Sequence, residues 1–449
     1  MRGLALALAL VALGSGCRDA EPRDQWVVTV ATDAPLPQFG DRVMVEVLRD
    51  GELACSACRR IFGLEPELLP GSFGIAAPPG DPEGLRLRVR LYRSDHTGAD
   101  GVPEGNAHLD ALARLPAPSG STPVSVVAKM DCFGVVADPF ADESCDPATG
   151  ALRPVPPLVD ETVLPDVGSW PEAEQVPCTG EIPDDMVCIE GGAFLFGSPF
   201  HFNFTAELSS EPERLVKLSP FAIDREEVTV GEARALIASG LVTGSPVLPD
   251  PDPLAAGATC TYLGSSDPSN DAQPLNCLTH DLAAQICEAL GRRLPTEAQW
   301  EFVAGQRELE TPYPWGYDDD VCEHAIVARG RFNEAYVEET ITCRRNDDGS
   351  LGPWGYLPEG HEADVTAQGI RNLGGNMAEW VADRFHPFST DCYGAEGTLL
   401  VDPVCTEPSD TFVYRGSGWL GLPADAQTFI RKRANTVSTN IGLRCALPR

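Results

Sequence analysis

The sequence predicts an α+β fold class, with a small all-β, sandwich-like domain followed by a loop-rich α+β domain. The segment from Leu85 to Leu91 alternates apolar and charged side chains with a period of two, which is typical of a half-buried strand. Beyond residue 186 the chain has short helix-period segments and long Gly- and Pro-rich stretches. With 449 residues and a hydrophobic content of 43%, the chain is long enough for two or three domains with their own cores.

The strand-like segments of the N-terminal part are separated by turn residues, and no helix-period segment of comparable strength interrupts them. They read WVVTVATDA, RVMVEVLRD, GLRLRVRLYRS and PVSVVAKMD. This pattern predicts a small antiparallel β domain, and the Pro-, Asp- and Glu-rich text that follows predicts a linker with disulfide-pinned loops. The predicted segments are a signal peptide (1–17), a tether (18–25), the β domain (26–130), the linker (131–185) and the α+β domain (186–449).

Two helices are predicted in the C-terminal part, after a strand and a short helix in FAIDREEVTVGEARALIASG. Leu282, Ile286 and Leu290 lie on one face of the first of these helices. Thr296 and Gln299 have the spacing of a capping box, which starts the second helix. The text beyond residue 304 is weakly periodic, so we expect a compact domain with few regular elements.

The N-terminus predicts export. Arg2 is followed by an apolar run and then by small residues that precede Cys17, which is the pattern of a secretory signal peptide. The run is too short to span a membrane. Small residues directly before a cysteine resemble a bacterial lipobox, although Gly14 stands where Leu is usual. We expect acylation of Cys17 and a lipid anchor in the cell envelope, with the outer membrane favoured over the inner; an ordinary signal peptide is the alternative.

The net charge and the cysteine content limit which partners and which cysteine chemistry the chain can have. The chain has 67 acidic and 33 basic residues and a net charge of −34, which excludes nucleic acid as a partner. Fourteen of the 15 cysteines remain if Cys17 is acylated, and an even number in an exported chain predicts disulfides. A disulfide between Cys55 and Cys58 is favoured over a redox motif or half of a zinc site. Other neighbours in sequence, with connectivity left open, are 132/145, 178/188, 260/277, 322/343 and 392/405.

Five ordered segments of the C-terminal part resemble the formylglycine-generating enzyme (sulfatase-modifying factor) family. They read MVCIEGGAFLFGS, FAIDREEVT, GRRLPTEAQWEF, GIRNLGGNMAEWVAD, and VYRGSGWL through IGLRCAL. The resemblance covers about residues 186–448, and five segments in one order are more specific than any single short motif. It implies a fold related to C-type lectins, with mixed α and β elements and much loop.

The segment RNLGGNMAEW holds the candidate metal ligands. Its paired glycines are expected to supply positive φ angles for a sharp turn. The family binds calcium in the matching loop, so the resemblance implies ligation by the side chains of Asn372 and Glu379 and the carbonyls of Gly375 and Met377. Calcium prefers such a set of oxygen donors. The alternative is a glycine turn held by hydrogen bonds without a metal.

The resemblance also implies where the chemistry of the family would lie. Members that oxidise a substrate cysteine to formylglycine hold copper with a cysteine pair, because Cu(I) selects sulfur ligands. Counted from Arg415, the matching positions hold Gly421 and Ala426, which offer no side-chain ligand. Copper is therefore not expected, and no catalytic residue is assigned. The resemblance further implies a disulfide between Cys287 and Cys445.

Three readings of function follow. The first is a non-catalytic, calcium-stabilised lipoprotein that binds a protein, peptide or glycan at the cell surface or serves as a scaffold. The alternative is a metal-dependent oxidoreductase, with non-haem iron or another metal, that acts on a sulfur-containing substrate. The seven histidines have no helical i, i+3 or i+4 spacing, which disfavours iron. Formylglycine generation without the thiols is the least favoured reading, and whether the chain is an enzyme stays open.

Overall fold

The computed structural model describes most of the chain beyond the predicted signal peptide and tether. The described residues are 24–78, 84–161, 163–198, 210–252, 256–330, 339–344, 350, 355–357, 360–395 and 397–449. No helix within these ranges is long and apolar enough to cross a membrane. Cys17 and the predicted signal peptide lie outside them.

The described residues up to 128 form eight strands. They are β1 (Gln25–Thr32), β2 (Arg42–Arg49), β3 (Glu52–Leu53), β4 (Arg59–Gly63), β5 (Gly71–Ala76), β6 (Leu85–Tyr92), β7 (Leu109–Arg114) and β8 (Ser121–Ala128). One sheet has the order β5-β1-β8, and the other has the order β3-β2-β6-β7 with β4 also paired to β2. Their apolar faces share one core cluster, to which β1 contributes Trp26 and β6 contributes Leu87.

One pairing in the first sheet departs from the sequence prediction. The strands β1 and β8 are parallel, whereas an antiparallel domain was expected. The chain builds the whole second sheet between them, and a long connection of that kind is what a parallel pair requires. The other pairs in both sheets are antiparallel.

The predicted linker packs against these sheets. It contains the hairpin β9 (Glu143–Asp146) and β10 (Ala151–Pro154). Val155 is fully buried, and Trp170 joins the core of the two sheets with its ring 6.2 Å from that of Phe39. Its apolar residues therefore give the segment fixed contacts that its Pro-rich composition did not predict.

The C-terminal part is mixed α and β, as predicted, and its described residues form few helices but more strands than the weakly periodic sequence led us to expect. Its strands are β11 (Met186–Ile189), β12 (Gly192–Phe196), β13 (Arg214–Leu218), β14 (Phe221–Asp224), β15 (Ala378–Arg384), β16 (Leu400–Val401), β17 (Phe412–Arg415), β18 (Arg431–Ala434), β19 (Ile441–Gly442) and β20 (Ala446–Pro448). Its α-helices are α1 (Val230–Ala238), α2 (His280–Ala289), α3 (Glu297–Ala304) and α4 (Val321–His324). The sheet orders are β11-β14-β20, β12-β13-β16 and β18-β17-β15-β19.

The predicted helix signals have the expected local geometry. The hydroxyl of Thr296 accepts from the backbone N–H of Gln299, whose side chain accepts from the backbone N–H of Thr296 in return, so the capping box of α3 is confirmed. Every residue of α3 is buried, which places this helix at the centre of the domain. Leu282 and Ile286 of α2 are buried as predicted, and Gly291 follows the helix with a φ of +72°.

Seven disulfides join all 14 cysteines of the described residues. They are 55–58, 132–145, 178–188, 260–277, 287–445, 322–343 and 392–405. The bond between Cys287 and Cys445 ties α2 to the residue before β20, over 158 residues of sequence. It therefore fastens the last strand of the chain to the middle of the domain.

Candidate functional site

The segment RNLGGNMAEW forms a tight turn that leads into β15. Its positive φ angles belong to Asn372 (+60°) and Asn376 (+68°), so the expectation that the paired glycines supply them is wrong. The glycines are needed for close approach instead. A Cβ on Gly374 would lie 2.6 Å from the ring of Trp315, and one on Gly375 would lie 2.8 Å from the backbone nitrogen of Ile326.

Glu379 lies at the end of this turn and is fully buried. Its carboxylate oxygens each accept from Nε of Arg444 at 2.8 Å, and a terminal guanidinium nitrogen of Arg444 lies 2.7 Å from Oε1. The indole N–H of Trp300 donates to Oε2 at 2.8 Å. An arginine near the end of the chain therefore compensates the charge of Glu379.

A second buried carboxylate, Glu227, holds the same turn from the other side. It accepts from the side-chain amide of Asn376 at 2.8 Å and from the backbone N–H of Met377 at 2.9 Å. Burial, and then repulsion from Glu379, raises the pKa of Glu227 to about 8. Asp364 caps the turn by accepting from the backbone N–H of Gly374 at 3.0 Å, and burial raises its pKa to about 7.

The four predicted calcium ligands lie in one turn, but both side-chain ligands already have N–H partners. Besides the contacts of Glu379, the amide oxygen of Asn372 accepts from the backbone N–H of His361 at 3.1 Å. Within the described ranges, no group of three or more His, Cys, Asp or Glu side chains is arranged to hold a metal ion. In this arrangement the residues do not offer a free set of oxygens to calcium, because a cation would have to displace Arg444 from Glu379.

Gly421 and Ala426, to which the resemblance assigns the copper-binding thiols, are closely packed. Ala426 is fully buried in an apolar cluster with Tyr313, Val321 and Val327. A Cβ on Gly421 would lie only 2.3 Å from the hydroxyl of Ser417. The surroundings of both positions are therefore fitted to residues without a thiol.

A buried ion network lies beneath this region. Glu297 accepts from Nη1 of Arg415 at 2.7 Å and from Arg431 at 2.9 Å and 2.7 Å. Arg415 also pairs with Glu301. Burial favours the protonated form of Glu297, but Arg431 and Arg415 outweigh it and hold its pKa below the usual value. Burial raises the pKa of Glu301 to about 7. These contacts bind α3 to β17 and β18.

Sequence reasoning missed the buried carboxylates. Glu227, Glu297 and Glu301 stand inside the segments EEVT and TEAQWEF, whose composition reads as ordinary polar helix and strand ends. One signal was present, since Glu297 and Glu301 have i, i+4 spacing in a helix that also bears Trp300 and Phe302. Arg415 and Arg431 pair with these buried carboxylates.

Comparisons with known proteins agree with the segments described above. Residues 172–448 match the family model of the sulfatase-modifying factor enzyme 1-like domain. A formylglycine-generating enzyme of Thermomonospora curvata is 29% identical over 300 residues, which cover 59% of this chain and 94% of that protein. The inactive C-alpha-formylglycine-generating enzyme 2 of Mus musculus is 26% identical over 296 residues, covering 58% and 85%. The solved structure of PvdO from Pseudomonas aeruginosa is 23% identical, with a TM-score of 0.41, covering 59% and 94%.

Proposed function

Because the chain belongs to the sulfatase-modifying factor enzyme 1-like domain family, we propose that it is a non-catalytic member, a binding or scaffold protein of the cell envelope. The observation that supports this proposal is the state of its cysteines. All 14 cysteines of the described residues are in disulfides, so none of them offers a thiolate to a metal or to a substrate. The two positions that match the copper-binding pair hold Gly421 and Ala426.

The packing around those two positions supports the same proposal. A cysteine at position 426 would push its sulfur into a buried apolar cluster, and one at 421 would overlap Ser417. Overpacking of this kind forces side chains and backbone to shift. The family also includes a mouse relative whose name describes it as inactive, so a member without the activity has a precedent.

The envelope location and the finer description of the fold are part of the proposal. We infer a signal peptide, acylation of Cys17 and a lipid anchor from the N-terminal sequence. We also infer that residues 26–130 are a sandwich-like all-β domain, that 131–185 connect it to the family domain, and that the latter is C-type-lectin-like. The proposed ligand is a protein, peptide or glycan at the cell surface.

Calcium binding at the turn of residues 371–380 stays a prediction. The ion pair between Glu379 and Arg444 sets a condition for it. Binding would require Glu379 to exchange the guanidinium of Arg444 for the ion. Thermal unfolding of the purified protein in excess calcium and in excess EDTA measures this. Equal melting temperatures would exclude the calcium prediction, while a melting temperature raised by calcium alone would support it.

The proposed lack of catalysis is tested with purified full-length protein by measuring its metal content and its activity on a cysteine peptide. We expect no stoichiometric copper or iron in the protein after incubation with either metal. We also expect no conversion of thiol to aldehyde in a sulfatase-type cysteine peptide, measured by mass spectrometry. The formylglycine-generating enzyme of Thermomonospora curvata serves as the positive control. Aldehyde formation, or a tightly bound transition metal, would overturn the proposal.

A further inference from the structure

A cavity of about 780 Å³ lies where the N-terminal sheets meet the family domain. We call it the junction cavity; Leu36, Pro37 and Arg93 line one side, and Leu195, Leu309 and Tyr317 line the other. Its volume is in the range that holds ligands in proteins, roughly 300–1,000 Å³. It is separate from the turn at residues 371–380 and from Gly421 and Ala426, none of which lines it.

The inner wall of the junction cavity is fixed by ion pairs that leave little free charge. Arg93 from the N-terminal part pairs with Glu310 of the family domain. Glu310 also accepts from the backbone N–H of Leu195 at 2.8 Å. Glu301, deeper in the wall, pairs with Arg415. Because these groups already have partners, the inner wall offers little free charge to a ligand. We therefore look for recognition groups at the mouth of the cavity.

The mouth of the cavity carries exposed apolar side chains. Leu309 is 60% exposed and Tyr317 is 75% exposed, although both line the cavity. Leu36 and Pro37 add apolar surface from the opposite side. Large apolar side chains gathered at a concave site mark a binding surface more often than isolated ones do. A large aliphatic or aromatic side chain is complementary to this mouth.

The rim of the cavity carries partly exposed carboxylates. Six carboxylates line the cavity against two guanidiniums, and the whole chain has a net charge of −34. Asp41, Asp95 and Glu308 lie 3.3 Å, 3.6 Å and 3.2 Å from guanidinium nitrogens of Arg42, Arg93 and Arg307, but their side chains remain 32%, 51% and 34% exposed, so part of each carboxylate faces solvent. A positive charge on the occupant complements this rim, and an anionic occupant is repelled by it.

One arginine at the cavity has donors without a hydrogen-bond acceptor. Arg307 gives Nη1 to Glu190 at 3.0 Å, but its Nε and Nη2 are buried and have no hydrogen-bond partner among the described residues. Nε lies 3.2 Å from the carboxylate of Glu308 in an ion pair, so Nη2 is the nitrogen that lacks any partner. A buried donor of this kind is satisfied when a carbonyl oxygen enters the cavity. Polypeptide backbone supplies carbonyl oxygens at regular spacing, which favours an extended peptide over a simple amine.

From these features we infer that the junction cavity binds an extended peptide segment in which lysine or arginine alternates with large apolar residues. This inference rests on the proposed binding role and names its ligand class. The apolar residues contact Leu309 and Tyr317, the cationic residues face Asp95 and Glu308, and a backbone carbonyl accepts from Arg307. The N-terminal part supplies about a third of the lining residues, so the family domain alone would present the site incomplete.

The inference is tested with the full chain and a fluorescein-labelled Lys-Leu-Lys-Trp-Lys-Leu peptide, using fluorescence polarisation. We expect saturable binding that weakens at high salt. Tyr317→Ser and Leu309→Ser are each expected to weaken binding at least about fivefold, because truncating an apolar anchor removes its contacts. The matched control is Leu241→Ser, a side chain that is 65% exposed and does not line the cavity, and its affinity should equal that of the unmodified chain.

Four results would overturn the inference. They are an absence of saturable binding, equal affinity for the Glu-Leu-Glu-Trp-Glu-Leu peptide, equal affinity for Lys-Gly-Lys-Gly-Lys-Gly, and unchanged affinity in both mouth variants. Copper binding or aldehyde formation is measured separately, so either proposal can fail while the other stands.

Discussion

Raising the pH above neutrality should weaken the contact between the N-terminal part and the family domain, because a buried histidine holds it. His96 follows β6, and its side chain is 2% exposed. Its Nε2 lies 2.6 Å from a carboxylate oxygen of Glu213, which belongs to the family domain, and its Nδ1 lies 2.8 Å from Asp95. Burial opposes protonation of His96, but Glu213 and Asp95 outweigh both burial and the nearby Arg93 and raise its pKa from 6.5 to about 9.

The sign and size of the effect follow from this pKa. A raised pKa means that the folded protein binds the proton more tightly than the unfolded chain does, so the stabilisation is complete below pH 6.5. It is lost as the pH rises through about 9. Each unit of pKa shift corresponds to about 1.4 kcal/mol, so the charged pair of His96 contributes about 3 kcal/mol that disappears across this window.

Urea unfolding, followed by tryptophan fluorescence with the disulfides intact, measures the effect at several pH values between 6 and 10. The difference in unfolding free energy between the unmodified chain and His96→Gln should shrink by about 3 kcal/mol over this range. Taking the difference removes the contribution of other groups that titrate in the window. His386→Gln, at a half-buried histidine whose Nε2 lies 3.3 Å from the backbone carbonyl of Glu407, is the control and should show no such change. A difference for His96→Gln that stays constant with pH would refute the assignment of a charged, buried His96.

Three other substitutions each test the contribution of one structural feature to stability. Replacing Cys287 and Cys445 by serine opens a loop of 158 residues and should lower the unfolding free energy by about 5 kcal/mol in urea unfolding. Glu297→Gln removes the carboxylate charge that two buried arginines share. It should lower the unfolding free energy by about 3–5 kcal/mol in the same assay. Gly416→Ala should lower the melting temperature sharply, because φ is +74° and the new Cβ would lie 2.5 Å from the carbonyl oxygen of Leu373.

Each of these changes has a matched control that lacks the decisive feature. Serines at Cys55 and Cys58 open a far shorter loop, so the loss should be about 2 kcal/mol. Glu172→Gln removes a half-exposed partner of a lysine and should cost less than about 1 kcal/mol. Gly120→Ala shares the positive φ but has open space around its Cβ, so strain alone should remain, about 1 kcal/mol. Equal effects of a change and its control would contradict the explanation given for that change.

Local signals in the sequence predicted local structure well. The alternation from Leu85 to Leu91 became a strand with Leu85, Leu87 and Val89 fully buried, because side chains in a strand point to opposite faces in turn. The capping box of Thr296 depends on residues three apart and was equally readable. The parallel pairing of β1 with β8 was not, since it joins strands about 90 residues apart and leaves no mark in either strand's pattern.

The candidate site was predictable only in part for the same reason. The composition of the turn at residues 371–380 marked it as special, but the partners that determine its chemistry come from distant segments. Glu227 precedes the turn by about 150 residues, and Arg444 follows it by more than 60. A carboxylate such as Glu379 reads as a calcium ligand in sequence, and only the position of Arg444 shows that its charge already has a counterion.

The buried ion network does not depend on the two positions that the resemblance assigns to the copper-binding thiols. Glu297, Glu301, Arg415 and Arg431 tie α3 to the C-terminal sheet through fully buried contacts, and none of these contacts involves positions 421 or 426. A member of the family can therefore lose the thiol pair without losing the interactions that hold the domain together. Sequence similarity over the whole domain reflects residues such as those of the ion network, and it does not depend on positions 421 and 426. The activity therefore has to be argued from the residues at those two positions.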